Sequence, residues 1–292
     1  MAPLLRFFFL ALGLSWLAWI PFAASKAGLI PIALPAELTW LGEYGPAVAA
    51  LILTWREEGR AAAGKLFARL AKWRVSAWWY IAAIGLTPLL VLLVLSALAL
   101  AGRPLPDPAL LGGWAERFRA RTAAFAPSMG LISGLSAFMS QGWWQTLVVF
   151  TALAITNGGI SEEPGWRGWL LPKLQPRFGM LVASLLVAMC WAFWHTGSNF
   201  WQVVLASDLA GAVRFVPGYL GQYLLLVAPL AVYYTWIYNG TGGSLLLVVL
   251  LHASYNMTVS VVLSAWPTFP VMWLVAGLWG VAAVVAVVSR KP

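Results

Sequence analysis

The sequence predicts an all-α polytopic membrane protein, in which about eight transmembrane helices surround a buried polar cavity. Hydrophobic residues make up 62% of the chain and charged residues only 9%, and the mean hydropathy is +0.83. Soluble domains carry about 25% charged residues, so this composition excludes a soluble fold. The chain shows no internal repeat. We therefore expect residues 1–292 to form a single integral membrane domain.

Apolar runs of membrane-spanning length recur along the chain and define the expected helices. The first run imitates a signal peptide, but its length and the spans that follow it predict a retained helix. Residues 102–128 and 197–218 are expected to be outer loops. The eight predicted spans are 4–24, 38–55, 77–101, a span from 143 into the acidic motif, 180–195, 219–238, 244–264 and 271–288. Glu43, near the start of the second span, is interpreted as an interfacial residue, with a functional role as the alternative.

A basic stretch at residues 56–74 sets the expected orientation in the membrane. Its cations alternate with apolar residues, which is typical of an amphipathic helix lying on anionic lipids. By the positive-inside rule this loop is cytoplasmic, which places both termini in the cytoplasm and the chain in the cell (inner or plasma) membrane. The net charge of +9 is thus assigned to lipid contact and not to nucleic acid, because the chain has no soluble basic module. The cations are Arg56, Arg60, Lys65, Arg69, Lys72 and Arg74.

An acidic motif, residues 161–168, lies inside an otherwise apolar part of the chain. An ionisable side chain at a bilayer centre costs roughly 2.5–3.5 kcal/mol, so such residues usually face a cavity and carry function. Glu163 and Arg167 stand at i and i+4 and are expected to pair. Glu162 points to another face, beside Trp166, with no cation in reach on its own helix. Glu162 is therefore a candidate general base, and a purely structural ion pair at a helix start is the alternative.

Local signals place the start of this motif helix just before Pro164. Proline is tolerated in the first turn of a helix but not in its interior. The residues Asn157-Gly158-Gly159 supply a break, and Ser161 is the expected N-cap.

The only two histidines of the chain lie in apolar runs, at His195 and His252. His252 and Asn256 are one helical turn apart and share a face. Glu162, His195 and Asn256 each lie about 20–24 Å along the helix axis from the turn at one end of their own predicted helix. The three residues are therefore expected at similar depth in the bilayer. A membrane histidine is often only an interhelical hydrogen-bonding residue. Two histidines, an asparagine and an unpaired glutamate at one depth favour a shared cavity instead.

In order and spacing, Glu162-Glu163-x-x-x-Arg167, Trp191-x-x-x-His195 and His252-x-x-x-Asn256 resemble the CPBP intramembrane proteases, also called the Abi or CAAX-protease family. The form Glu-Glu-Pro-Gly-Trp-Arg-Gly is similar to a common bacterial branch of that family. The part of the chain that resembles this family extends over about residues 143–264. Many members carry phenylalanine where this chain has Trp191, a change expected to alter packing more than chemistry.

The resemblance implies an intramembrane endopeptidase acting on membrane-associated peptides, CAAX-like or other. It implies that Glu162 and His195 activate a water, and that His252 and Asn256 donate hydrogen bonds to the oxyanion. Glu163 and Arg167 would then support the helix. No cofactor is required on this interpretation. As an alternative, Glu162, His195 and His252 form an acceptable zinc ligand set.

Two other classes of protein use the same features. In a proton-coupled transporter, Glu162 and the histidines would relay protons and the break at residues 157–159 would bind the substrate. The missing inverted repeat argues against this class. A non-catalytic membrane protein of the bacteriocin-immunity type would keep the fold without the chemistry, and the retained polar motifs argue against it.

Overall fold

A computed structural model describes residues 2–35, 37–124, 130–206 and 209–289, and every regular element in these residues is helical. The α-helices are linked by short turns and by longer non-helical connections after α1 and after α5. They are α1 (Ala2–Lys26), α2 (Glu37–Glu43), α3 (Gly45–Glu58), α4 (Arg60–Ala68), α5 (Ala77–Leu100), α6 (Ala109–Gly112), α7 (Trp114–Ala124), α8 (Gly130–Met139), α9 (Trp143–Ala154), α10 (Ser161–Glu163), α11 (Leu171–Ala206), α12 (Leu209–Gly240), α13 (Leu245–Ala265) and α14 (Val271–Val288).

Within the described residues, six helical stretches are long and apolar enough to cross a membrane. The stretch Trp143–Gly197 contains both the fourth and the fifth predicted span. A straight helix would separate Glu162 and His195 by about 50 Å, but their side chains lie 3.9 Å apart. The chain therefore folds back between them, where Gly179 takes a non-helical φ of 72°. The all-α polytopic fold is confirmed.

The number of spans differs from the expected eight. The predicted second span is divided at Tyr44 into α2, of 7 residues, and α3, of 14 residues. A helix needs about 20 residues to cross the hydrocarbon layer, so neither is long enough alone.

Both predicted outer loops contain helix. The first, residues 102–128, includes α6 and α7. The prediction that residues 197–218 form a loop is wrong, because α11 continues to Ala206 and α12 begins at Leu209.

The basic stretch is amphipathic, as its sequence predicts, and its apolar side faces the protein. It forms the end of α3, then α4, then a 3-10 turn at Arg69–Ala71. Ala63 and Leu66 are buried, whereas Arg60 and Lys65 are exposed. A Cβ placed on Gly168 would lie 2.8 Å from a methyl group of Leu66. The apolar face of α4 therefore packs on the helix that carries the acidic motif.

The motif helix does not start at Pro164 but runs continuously from α9. It widens into π-helical turns at Ile155–Ile160 and Pro164–Leu170, on either side of α10. Ser161 is helical, with φ −69° and ψ −26°, so the predicted N-cap is wrong. Proline in a regular helix clashes with the carbonyl four residues earlier, and a π-turn relieves such a clash. The wide turns thus let the acidic pair sit in mid-helix.

Tryptophans occupy the core as well as the surface. Trp166, Trp191 and Trp194 are almost fully buried beside the motif helix, whereas Trp55 and Trp143 are exposed. Indoles therefore serve both as surface residues and as packing around the polar cavity.

Candidate active site

The polar motifs meet at one cavity of about 370 Å³. Its walls come from α1, α2, the motif helix, α11, α12 and α13. Glu162, His195, His252 and Asn256, which the sequence places in three separate segments, all line it. The expected convergence of the candidate residues is therefore present in the structure.

Glu162 is buried, and one of its two carboxylate oxygens is held by indoles. Trp166 donates a hydrogen bond from Nε1 to Oε2 of Glu162 at 3.3 Å, and Trp191 donates one to the same oxygen at 2.5 Å. The expectation that tryptophan at position 191 alters mainly packing is therefore wrong. Its N–H contacts the candidate base directly, which phenylalanine cannot do. The two bonds fix the carboxylate and leave Oε1 facing the histidines.

Oε1 of Glu162 lies 3.9 Å from Nε2 of His195. Nδ1 of His195 is 2.9 Å from the main-chain oxygen of Trp191. A carbonyl can only accept, so Nδ1 carries a hydrogen, and in the neutral ring Nε2 is an acceptor. Two acceptors at this separation match the two hydrogens of one water, placed about 2.8 Å from each.

Glu163 forms the expected pair with Arg167 and also contacts His252. Nη1 of Arg167 donates to Oε1 and Oε2 of Glu163 at 3.0 and 3.1 Å, and both side chains are fully buried. Nδ1 of His252 is 2.8 Å from Oε1 of Glu163. A carboxylate paired with arginine is an acceptor, so Nδ1 of His252 is the donor. Glu163 thus sets the orientation of the His252 ring.

Aromatic rings enclose the guanidinium of Arg167. Its central carbon lies 4.5 Å from the ring centre of Trp191 and 4.2 Å from that of Tyr234. These are cation–π distances. Arg167 is therefore committed to Glu163 and two rings, and it does not line the cavity.

Nε2 of His252 points toward Glu162, with 4.0 Å between Nε2 and Oε1. Asn256 follows one turn later on the same helix and lies beside Gly158. A Cβ on Gly158 would be 2.7 Å from Nδ2 of Asn256 and 3.1 Å from Nε2 of His252. The absence of a side chain at position 158 lets both side chains approach the motif helix.

The zinc alternative finds less geometric support than water activation. Tetrahedral zinc, with ligand distances of about 2.0–2.2 Å, needs N···O separations of about 3.4 Å. The two His–Glu162 separations are 3.9 and 4.0 Å. In the part of the chain that the structure describes, no three His, Cys, Asp or Glu side chains are grouped as the ligands of one metal ion. Oε2 of Glu162 is moreover occupied by two N–H donors.

Sequence reasoning missed several residues of the cavity. Glu43, expected at the membrane interface, lines the same cavity as Glu162. The signal that could have found it is its place as a lone carboxylate between Gly42 and Gly45, in a predicted span. The bond from Trp166 follows from i, i+4 spacing. The bond from Trp191 depends on tertiary packing, and no local pattern indicates it.

The fold and this cavity define a polytopic membrane protein with a buried Glu, His, His, Asn site, and comparison with known proteins finds a family that this region resembles. The family model described as Type II CAAX prenyl endopeptidase Rce1-like matches residues 142–258. All six predicted site residues lie within that range. This region of the chain is similar to the CPBP, or CAAX-protease, family, which agrees with the resemblance of the motifs.

A curated relative supports the same family. CAAX prenyl protease 2 of Methanococcus maripaludis is 26% identical over 96 residues, which cover 33% of this chain and 34% of that protein. The chain thus matches about a third of the length of this relative.

Proposed function

We propose that this protein is an intramembrane endopeptidase that hydrolyses peptide bonds of membrane-associated substrates with a water activated by Glu162 and His195. The observation that carries the proposal is the pair of acceptors, Oε1 of Glu162 and Nε2 of His195, 3.9 Å apart at the cavity wall. The family match over residues 142–258 supports the reaction class.

Water activation follows from the hydrogen-bonding roles of these two groups. A water that donates both hydrogens to them directs its lone pairs into the cavity, toward a substrate carbonyl. As its oxygen bonds to the carbonyl carbon, one proton moves to Oε1 of Glu162. Positioned general bases contribute about 10²–10⁴-fold to such steps. Trp166 and Trp191 act as positioning residues, because they hold Oε2 and so present Oε1.

His252 and Asn256 stabilise the oxyanion that forms. Nδ1 of His252 is engaged by Glu163, so its Nε2 can donate to the oxyanion only as an imidazolium. The carboxylate of Glu163 supplies the countercharge to that ring. Asn256 provides a neutral second donor from its amide nitrogen. Breakdown of the intermediate breaks the C–N bond, and the proton held by Glu162 passes to the departing nitrogen.

The site lies in a multi-pass membrane protein, so the substrates are peptides or proteins that reach it within a bilayer. CAAX-like termini are one class of substrate, and other membrane-associated segments are another. We propose a cell (inner or plasma) membrane location with both termini cytoplasmic. In that orientation the exposed Arg60 and Lys65 of α4 contact anionic lipids, at about 1 kcal/mol per cation near the surface.

The experiment compares the purified, reconstituted wild type with Glu162→Gln on a peptide library made from bacterial membranes, to which a prenylated CAAX peptide is added. Glu58→Gln is the matched control, because this carboxylate lies at the surface and binds Lys173. We expect discrete cleavages with the wild type and with Glu58→Gln, and none with Glu162→Gln. Equal cleavage by all three proteins contradicts the proposal.

A further inference from the structure

The cavity contains a carboxylate that the proposed reaction does not use. Glu43 is the last residue of α2, and its side chain lines the cavity together with Glu162, His195 and Asn256. Among the described residues, its carboxylate takes part in no hydrogen bond and no ion pair. An unpaired carboxylate away from bulk water is unfavourable unless a cation pairs with it or a proton neutralises it.

Backbone packing fixes the corner of the chain that carries Glu43. A Cβ on Gly45 would lie 2.6 Å from the main-chain oxygen of Ala11, so the start of α3 is in backbone contact with α1. A Cβ on Gly165 would lie 2.6 Å from the main-chain oxygen of Pro46, so the same corner also touches the motif helix. The position of Glu43 beside the site is therefore set by two close helix contacts.

The charges around the cavity do not balance. Among the described residues, its lining includes two carboxylates, Glu43 and Glu162, and no lysine or arginine, so the His252 imidazolium of the proposed reaction is its single cation. Arg167, the cation of the motif helix, is bound to Glu163 and enclosed by two rings. A cation that pairs with the ionised form of Glu43 would therefore come from outside these residues.

The walls of the cavity favour an organic cation. Six phenylalanine, tryptophan and tyrosine side chains line it, and aromatic faces attract ammonium and guanidinium groups. A carboxylate combined with aromatic faces is the chemistry of an ammonium-binding pocket. The six are Trp19, Phe22, Trp191, Trp194, Tyr223 and Tyr255.

We propose that Glu43 and these rings form a subsite for a cationic group of the substrate, the ammonium or guanidinium of a lysine or arginine side chain next to the scissile bond. The inference rests on the proposed function and deepens it, because it names a feature of the substrate. Peptides with a basic residue beside the cleaved bond bind better than neutral ones, since they supply the missing charge.

The binding experiment uses the full chain carrying Glu162→Gln, so that no turnover occurs. The probes are acetyl-Leu-Leu-Lys-Leu amide and the same peptide with norleucine in place of lysine, and the readout is quenching of the cavity tryptophans. We expect the lysine peptide to bind about tenfold tighter or more. Adding Glu43→Gln removes this preference, and adding Glu43→Asp keeps part of it. Equal affinity of the Glu162→Gln chain for the two peptides, or no binding of either peptide, overturns the inference. This outcome does not depend on whether the chain that also carries Glu43→Gln folds.

Cleavage-site statistics separate this inference from the proposed function. In the peptide library, sites cut by the wild type and by the surface control Glu58→Gln should be enriched in lysine and arginine at one flanking position, and Glu43→Gln should lose that enrichment. Cleavage without such enrichment overturns the subsite and leaves the protease intact. A lysine preference in binding without any cleavage supports the subsite and contradicts the protease.

Discussion

Replacing Arg167 by alanine should cause a large loss of stability, because its partner Glu163 would remain buried without a cation. Both side chains are fully shielded from solvent, and Nη1 of Arg167 contacts both oxygens of Glu163. Removing one partner of a buried pair costs about 3–5 kcal/mol. Losing the stacking on Trp191 and Tyr234 adds about 1–2 kcal/mol. The expected total is about 4–7 kcal/mol.

The assay is thermal unfolding of the purified protein in detergent, followed by tryptophan fluorescence. In a chain of this size each kcal/mol shifts Tm by about 2–4 °C, so Arg167→Ala should lower Tm by about 10 °C or more. Lys173→Ala is the matched control, because it also removes one cation from an ion pair. That pair is partly exposed, with Glu57 and Glu58 as partners, so it contributes at most about 1 kcal/mol.

A double variant tests the cause of the loss. Replacing both members of a buried pair is far less costly than replacing one. Glu163→Gln combined with Arg167→Met should therefore recover much of the lost Tm, while the glutamine oxygen still accepts from His252. A Tm for Arg167→Ala within about 2 °C of the wild type would refute the reasoning, since it would mean that Glu163 is hydrated.

The remaining predictions concern the reaction. Glu162→Gln should lower kcat by about 10²–10⁴-fold, and chelators should not affect the activity of the wild type. The metal alternative would be favoured if Glu162→Gln kept its turnover and if chelators inhibited the wild type in a way that added zinc reverses. His252→Ala should lower kcat by about 10²–10³-fold and change KM far less, because an oxyanion donor acts in the transition state. A KM effect alone would assign His252 to substrate binding. Trp191→Phe keeps a ring but removes a donor to Glu162, so kcat should fall about tenfold at similar KM. Trp266→Phe, which removes a partly buried indole hydrogen bond to the main-chain oxygen of Asp107, is its control, and an equal fall in kcat in both variants would show a general packing effect.

The spacing of residues along the sequence was sufficient to predict the contacts between residues of the same helix. The i, i+4 rule predicted the pair of Glu163 with Arg167, and it placed Trp166 on the face of Glu162. The structure contains both contacts. The same rule placed His252 and Asn256 on one face, and both line the cavity. These contacts depend only on helical geometry, which any helix-forming sequence fixes.

Local rules failed where the motif helix departs from regular geometry. Pro164 and the two glycines at 158 and 159 predicted a helix start, yet the helix is continuous. A π-turn accommodates a proline that a regular helix would exclude. Sequence signals for π-turns are weak, because packing by neighbouring helices decides whether the wide turn is stable.

The sequence by itself determined the membrane class, the helical architecture and the identity of the polar residues that share a cavity. Composition and periodicity fix these properties because each follows from transfer free energies and from the geometry of a single helix. Only the tertiary structure decided that the indole of Trp191 holds Glu162 across 29 residues, that Glu163 orients His252 across 89 residues, and that Glu43 faces the cavity. Such contacts join separate helices, and which helices become neighbours is set by packing over the whole chain, not by any local pattern.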